Sequence, residues 1–424
     1  MSAESWLLAV VTAAPHQTAF ELCIPPTVGR LKGVNMPHFA SWPHHDEDEI
    51  AAARAVLESG RTNYWTGIEG RSFEVEYADA LLRRHAIALH NGTVALELAL
   101  VALGVGPGDE VVTTPRTFVA SASAVIMRKA TPVFADVDLD SGNLTAASVE
   151  PLLTPRTKAI IAVHLGGWPV DMAPLVEMAR ARGIAVIEDC AQAHGASIDK
   201  APVGSFGDLA AFSFCQDKII TTGGEGGLLA LDDEAMWRAA WAFKDHGKSY
   251  AAVYERDHPP GYRYVYESFG TNWRMMEVQA AIGRIQLRKL PSWSERRREI
   301  GHQLENGFRD LLGVRVPSVP EPMRHAYYRL YVYVRPEVLR SGWDRARVVR
   351  EVMESGVPCS VGSAGELYRE KAFTDAGLTP AEGLPRAREL GETSIALLCH
   401  PTLDDAAVHT TIETVRSVMA RATR

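Results

Sequence analysis

The stretch FSFCQDKIITTGGEGG (residues 212–227) joins a short apolar run to a glycine-rich turn and places Lys218 between them. A lysine there is either a surface cation ahead of a turn or an amine set to form a covalent bond. The apolar run begins upstream as DLAAFSF (208–214) and is one of a series: EVVTTP (110–115), PVFADV (132–137), KAIIAVHL (158–165) and IAVIEDC (184–190). Helical patterns lie between several of these runs, for example DMAPLVEMARARG (171–183), closed by Gly183. This alternation predicts crossover units and a mostly parallel sheet, an α/β fold. Uninterrupted apolar strands fit a sheet covered on both faces.

In such sheets ligands bind beyond the carboxyl ends of the strands, so polar residues at those ends are the candidates. The run AVIEDC delivers Glu188 and Asp189, IAVHL ends at His164 before Gly166 and Gly167, and AAFSF delivers Ser213 and then Lys218. An acid and a lysine on neighbouring strand ends could also be an ordinary ion pair. NGTVALELALVALG (91–104) reads as a helix with Asn91, Gly92 and Thr93 at its start and Gly104 at its end. Such a start is a plain N-cap or an anion site. GVGPGD (104–109) resembles a dinucleotide loop but joins helix to strand, the wrong order for that motif. Phe118, in TPRTFVASASAV (114–125), follows a strand end, where a ring serves as core or stacks on a planar ligand. Phosphate cradle, stacking ring, acid and amine together describe a pyridoxal phosphate (PLP) site.

The chain resembles the DegT/StrS-type sugar aminotransferases, a fold-type-I PLP family, from about Trp42 to near the C-terminus. The resemblance is carried by NYWTG (63–67), NGTVALELAL (91–100), TPRTFVASASA (114–124), EDCAQAHGA (188–196), FSFCQDKIITTGGEGG (212–227), DHGK (245–248), GTNWRMMEVQAAIGRIQL (270–287) and LCHPTL (398–403). It implies a large domain with a mostly parallel seven-stranded sheet and a smaller C-terminal α+β domain. It implies that Lys218 is the Schiff-base lysine and proton shuttle and that Asp189 pairs with the pyridine nitrogen. Gln192 then lies near the ring hydroxyl, Phe118 stacks on the ring, and Gly92, Thr93 and Ser213 hold the phosphate. Asn272 reaches the phosphate of the partner subunit, so a homodimer with shared sites is implied. Tyr64, Trp65, His325 and Tyr327 are candidate substrate contacts. Where relatives often carry a tyrosine after the VHL element this chain has VHLGGWPVDM (163–172), which leaves the substrate contacts of that loop open.

The implied activity transfers an amino group from L-glutamate or glutamine, through pyridoxamine phosphate, to a keto group of a nucleotide-linked sugar. A ketocyclitol acceptor and a non-catalytic binding or sensory protein on the same fold are the alternatives. A deoxysugar dehydratase of this family would carry histidine in place of Lys218. A lysine beside a pyridinium, or partly desolvated, is expected to have a lowered pKa.

The remaining sequence sets bounds. The 424 residues are 46% hydrophobic and 23% charged, with 44 basic against 52 acidic side chains, a net −8. That balance offers no electrostatic case for nucleic acid. Cys23, Cys190, Cys215, Cys359 and Cys399 show no metal spacing, so reduced thiols, a cytoplasmic location and no metal are expected. No run is long enough to span a bilayer, and WLLAVVTAA (6–14) lacks the basic flank of an export signal. The acidic run HHDEDE (44–49) reads as a solvated helix start rather than a metal site. Residues 1–35 are expected to be a disordered extension ahead of Met36. A helix over 275–290 is expected to break or bend at LPSW (290–293), because proline disfavours helix at the residue before it. The expected domains are 36–290, binding PLP, and 291–424.

Overall fold

The structure, a computed structural model, describes residues 39–424. The extension expected over 1–35 lies outside them. Seven strands form the central sheet: β1 (His85–Leu89), β2 (Glu110–Thr113), β3 (Thr131–Phe134), β4 (Thr157–Val163), β5 (Ala185–Asp189), β6 (Leu209–Ser213) and β7 (Gly227–Leu231). Their spatial order is β1-β7-β6-β5-β4-β2-β3. Strands β2 to β6 pair in parallel, and β7 runs antiparallel to both of its neighbours. The period-2 alternation of strand side chains builds two cores. Ile87, Leu89, Ile187, Leu209 and Leu229 pack with the helix Gly92–Ala102 on one face. Ala86, Ala88, Phe212 and Leu228 pack with Phe73 and Tyr77 on the other. Both faces are covered, which is why these strands read as continuous apolar runs.

A second, antiparallel sheet is built from Val314–Arg315, Arg329–Val334, Ser394–Leu398 and Cys359–Ser360, in that order. Its core includes Leu330, Val332, Val348, Ile395 and Val415.

The helix expected to stop near 290 instead runs unbroken from Glu277 to Phe308, with Pro291 inside it. The boundary expected at 290–291 therefore falls within one helix. Proline removes an N–H donor and disfavours helix just before it. Tertiary packing on both sides overrides this cost: Ala280, Ala281, Ile282 and Ile285 are buried before the proline, and Ile300, Leu304 and Phe308 after it. The acidic run also does more than start a helix. Asp46 caps Glu47–Ser59 in a capping box with Glu49. Asp46, Asp48 and Glu49 then close on Lys289 Nζ at 2.8, 2.7 and 2.8 Å, tying that helix to the long one.

Candidate active site

The parallel strands deliver the site from their carboxyl ends. After β6 the chain turns back, and the Lys218 N–H donates to the Cys215 carbonyl at 3.0 Å. The Lys218 carbonyl accepts from Trp42 Nε1 at 2.8 Å. With its backbone held at both ends, the side chain is 15% exposed, and Nζ lies 3.9 Å from Asp217 Oδ1. The same Nζ sits 4.9 Å from the centre of the Tyr328 ring. The Tyr328 hydroxyl donates to Asp217, and the Arg329 guanidinium lies 4.4 Å from the ring centre.

The lowered lysine pKa expected from the sequence needs correction. Burial pushes the Lys218 pKa down, but Tyr328, Asp217 and Cys215 outweigh it and hold the pKa above the ordinary lysine value. Tyr328 stays a neutral phenol at neutral pH, because burial raises its own pKa. Asp217 is then the charge that matters: burial raises its pKa, but Lys218, the Tyr328 hydroxyl and Arg329 bring it below the carboxylate range.

Asp189 ends β5 and is 5% exposed. Its Oδ2 accepts from Ser121 Oγ at 2.8 Å and its Oδ1 from the Ala191 N–H at 3.1 Å. Burial raises its pKa; Ser121, Ala191 and Lys218 oppose that rise. A protonated group brought against this carboxylate would therefore be favoured. Glu188 points to the opposite face. It accepts N–H groups of Gly204, Phe206 and Gly207 at 2.8, 2.8 and 2.7 Å, and meets His164 Nε2 at 3.1 Å. His164 Nδ1 accepts from the Val170 N–H at 2.9 Å, so its proton sits on Nε2, toward Glu188. This pair shapes the loops around the site rather than the site itself.

The residues expected to hold a phosphate lie where three backbone segments meet. Asn91 caps the helix Gly92–Ala102 by accepting from the Val94 N–H at 2.9 Å. The first N–H groups of that helix, those of Gly92 and Thr93, have no intrahelical partner. A Cβ at Gly92 would lie 2.6 Å from the Ser213 Cβ. A Cβ at Gly227 would lie 2.1 Å from the Asn91 carbonyl oxygen. Gly92 lets the helix start approach the end of β6, and Gly227 lets the start of β7 approach Asn91. The Tyr77 hydroxyl donates to His194 Nδ1 at 2.6 Å, and His194 Nε2 donates to the Ser213 carbonyl at 2.9 Å, which fixes that strand end. Burial lowers the His194 pKa to about 3, so the imidazole is neutral. Phe118 is 64% exposed, so its ring is accessible beyond the end of β2. Gln192 Oε1 accepts from the Gly166 N–H at 2.7 Å beside the same strand ends.

Residues 43–416 match the model of the DegT/DnrJ/EryC1/StrS aminotransferase family. The chain belongs to this family. As a DegT-family aminotransferase it is similar to the aminotransferase from Psychrobacter cryohalolentis, at 50% identity and TM-score 0.89, over 90% of this chain and 99% of that one. It is 43% identical to the GDP-perosamine synthase of Caulobacter vibrioides over 74% of this chain and 84% of the relative. The PLP-form structure of the putative sugar aminotransferase Spr1654 from Streptococcus pneumoniae aligns at TM-score 0.79 and 25% identity, covering 89% and 97% of the two chains.

Three of the four expected substrate contacts in this aminotransferase are interior. Tyr64 is 2% exposed; its hydroxyl donates to Glu74 at 3.0 Å and Lys244 Nζ lies 3.9 Å from its ring centre. His325 and Tyr327 stack on one another, with ring centres 4.2 Å apart, and both are buried. The Tyr327 hydroxyl donates to Glu305 at 2.7 Å. Trp65 is half-buried and donates from Nε1 to Asp245 at 2.7 Å. These residues fill the fold because each polar tip already has an internal partner. The residues that do face Lys218, namely Asp217, Tyr328 and Arg329, were not singled out from the sequence. Tyr327 takes a φ of 47°, and this turn helps decide which of two adjacent tyrosines faces the lysine. Asn272 is exposed and near its own backbone, with Oδ1 3.5 Å from the Arg274 N–H. Its segment pairs with Asp245, and Arg274 pairs with Leu89.

Proposed function

We propose that this aminotransferase binds PLP and moves an amino group from L-glutamate or glutamine to a keto carbon of a nucleotide-linked sugar, working as a cytoplasmic homodimer. The observation that carries the reading is the convergence of an enclosed lysine, a buried strand-end carboxylate and a glycine-lined helix start. The donor set fits the cofactor. Gly92 lets the helix start lie against Ser213, where a side chain would clash, Asp189 has no cationic partner in direct contact among the described residues, and Phe118 offers an exposed ring. The name of the relative from Caulobacter supports a nucleotide-sugar acceptor, and the PLP form of Spr1654 supports the cofactor.

When bound, PLP supplies an electrophilic carbon and a pyridine ring that accepts electron density. Ser213, Gly92 and Thr93 would hold its phosphate, and Asp189 would keep the ring nitrogen protonated. Phe118 would cover one ring face, and Gln192 would sit beside the ring. Lys218, once it has lost its extra proton, would supply the amine that holds the cofactor, and it would move the proton at the substrate carbon. Asp217 and Tyr328 set when that amine is free. Asn272, exposed on its own chain, would reach the partner's site.

Borohydride reduction followed by peptide mapping tests the assignment. Label on Lys218 supports it; label on Lys244 or Lys248 would overturn it. Lys218→Ala should keep its circular dichroism spectrum and lose turnover. A panel of GDP-, dTDP- and UDP-linked ketosugars beside ketocyclitols, each with glutamate and glutamine, identifies acceptor and donor.

A further inference from the structure

The loop Thr114–Thr117 leads from β2 to Phe118 and is buried throughout. Within it Arg116 is 0% exposed. Its backbone N–H is satisfied by Thr114 Oγ1 at 3.1 Å. Its guanidinium is not: Nε, Nη1 and Nη2 meet no hydrogen-bond partner among the described residues. The walls near it are Gly142, Leu165, Tyr333 and Tyr331. A Cβ built on Gly142 would lie 3.5 Å from Arg116 Nε, 3.2 Å from Leu165 Cδ2 and 3.7 Å from the Tyr333 hydroxyl. The Tyr331 ring centre is 5.9 Å from Arg116 Cζ, and the Tyr331 hydroxyl is taken by the Ser363 N–H at 2.9 Å. A second cation stands close. The pKa of Arg345 is lowered, by burial first, and the charge of Arg116 adds to that fall against Asp344.

A guanidinium cannot shed its proton in a protein, so it cannot escape burial by neutralising. An enclosed, unpaired charge is among the costliest things a fold can contain. We infer that Arg116 holds a small monovalent anion of the chloride class, enclosed between the β2 loop and the strand Arg329–Val334. The lack of exposure excludes an amino acid or nucleotide sugar as the occupant. The apolar and aromatic walls favour a weakly hydrated single charge over sulfate or phosphate. Because Phe118 follows two residues later, the ion would brace the loop that carries the exposed ring.

The test uses the full-length holoenzyme at constant ionic strength, with chloride replaced stepwise by gluconate, which is too large to enter. The wild-type melting temperature should fall by several degrees as chloride is removed, and Arg116→Met should not respond. Bromide-soaked wild-type crystals should show an anomalous peak against the guanidinium, which keeps the inference testable if Arg116→Met does not fold. Equal wild-type melting in the two salts, an equal chloride response in Arg116→Met, or water alone against the guanidinium would each overturn it. A bromide peak without chloride-dependent melting would mark an adventitious ion only, and overturns it too.

Discussion

Asp217 and Lys218 are neighbours in sequence and in space, and this pairing makes a pH prediction. Only the free amine can attack a carbonyl carbon, and Asp217 favours the ammonium. Asp217→Asn should lower the Lys218 pKa, so the rate of PLP uptake by the apoprotein, followed by absorbance, should reach its plateau at lower pH than in wild type. An unchanged profile would mean that Asp217 does not control the amine. At the cradle, Gly92→Ala forces a methyl to within 2.6 Å of the Ser213 Cβ. Overpacking of this kind costs about 1–3 kcal/mol. PLP affinity by equilibrium dialysis should fall at least tenfold, and thermal stability should drop. The sequence named Lys218, Asp189, Gly92 and Ser213 because each sits at a strand or helix end, where pattern and chemistry coincide. It did not single out Tyr328, whose ring lies beside Lys218, while the adjacent Tyr327 is buried with its hydroxyl on Glu305; which of two neighbouring tyrosines faces the lysine depends on the path of the chain and not on residue type.

At the scale of elements, the strands β2 to β6 were legible to within three residues of their observed ends. Each is an apolar run covered on both faces, so the signal survives without knowing its neighbours. Pro291 was misleading because a local rule met long-range packing. The proline still leaves the carbonyl of Leu287 without its helical donor. Pro291→Ala should therefore raise stability by about 1–3 kcal/mol, given the propensity gap between the two residues. Chemical denaturation read by far-UV circular dichroism checks this. A loss of stability would show that the proline shapes a bend on which the neighbouring helices depend.

At the scale of the molecule, three histidines report on the whole fold. His194, His325 and His400 have pKa values lowered to about 3, in each case chiefly by burial. In the unfolded chain these imidazoles take up protons near pH 6.5, while in the fold they do not until about 3. Between those values the unfolded state binds more protons, so stability falls as pH falls. Each histidine should cost about 1.4 kcal/mol per pH unit well below 6.5. Urea midpoints at pH 7, 6 and 5 should drop accordingly, and His400→Gln should flatten the slope. The proposed shared site makes a second prediction at this scale. Mixing inactive Lys218→Ala chains with inactive Asn272→Ala chains should restore activity, because each heterodimer then has one intact site. No recovery after verified subunit exchange would place Asn272 outside the partner's site.

Strand β1 touches only β7 within the central sheet, and β7 lies far later in the chain. During synthesis at ~5–20 residues per second, β1 therefore waits on the order of ten seconds for its partner to leave the ribosome. For most of that interval the helix that starts at Gly92 has no β6 to lean on, and the nascent chain exposes an unpaired apolar edge. Chains stalled before Gly227 should be protease-sensitive and held by chaperones. Release a few residues beyond Leu231 should bring protection abruptly, so that the anion cradle is among the last parts of the large sheet to be completed although its first residues are among the earliest made.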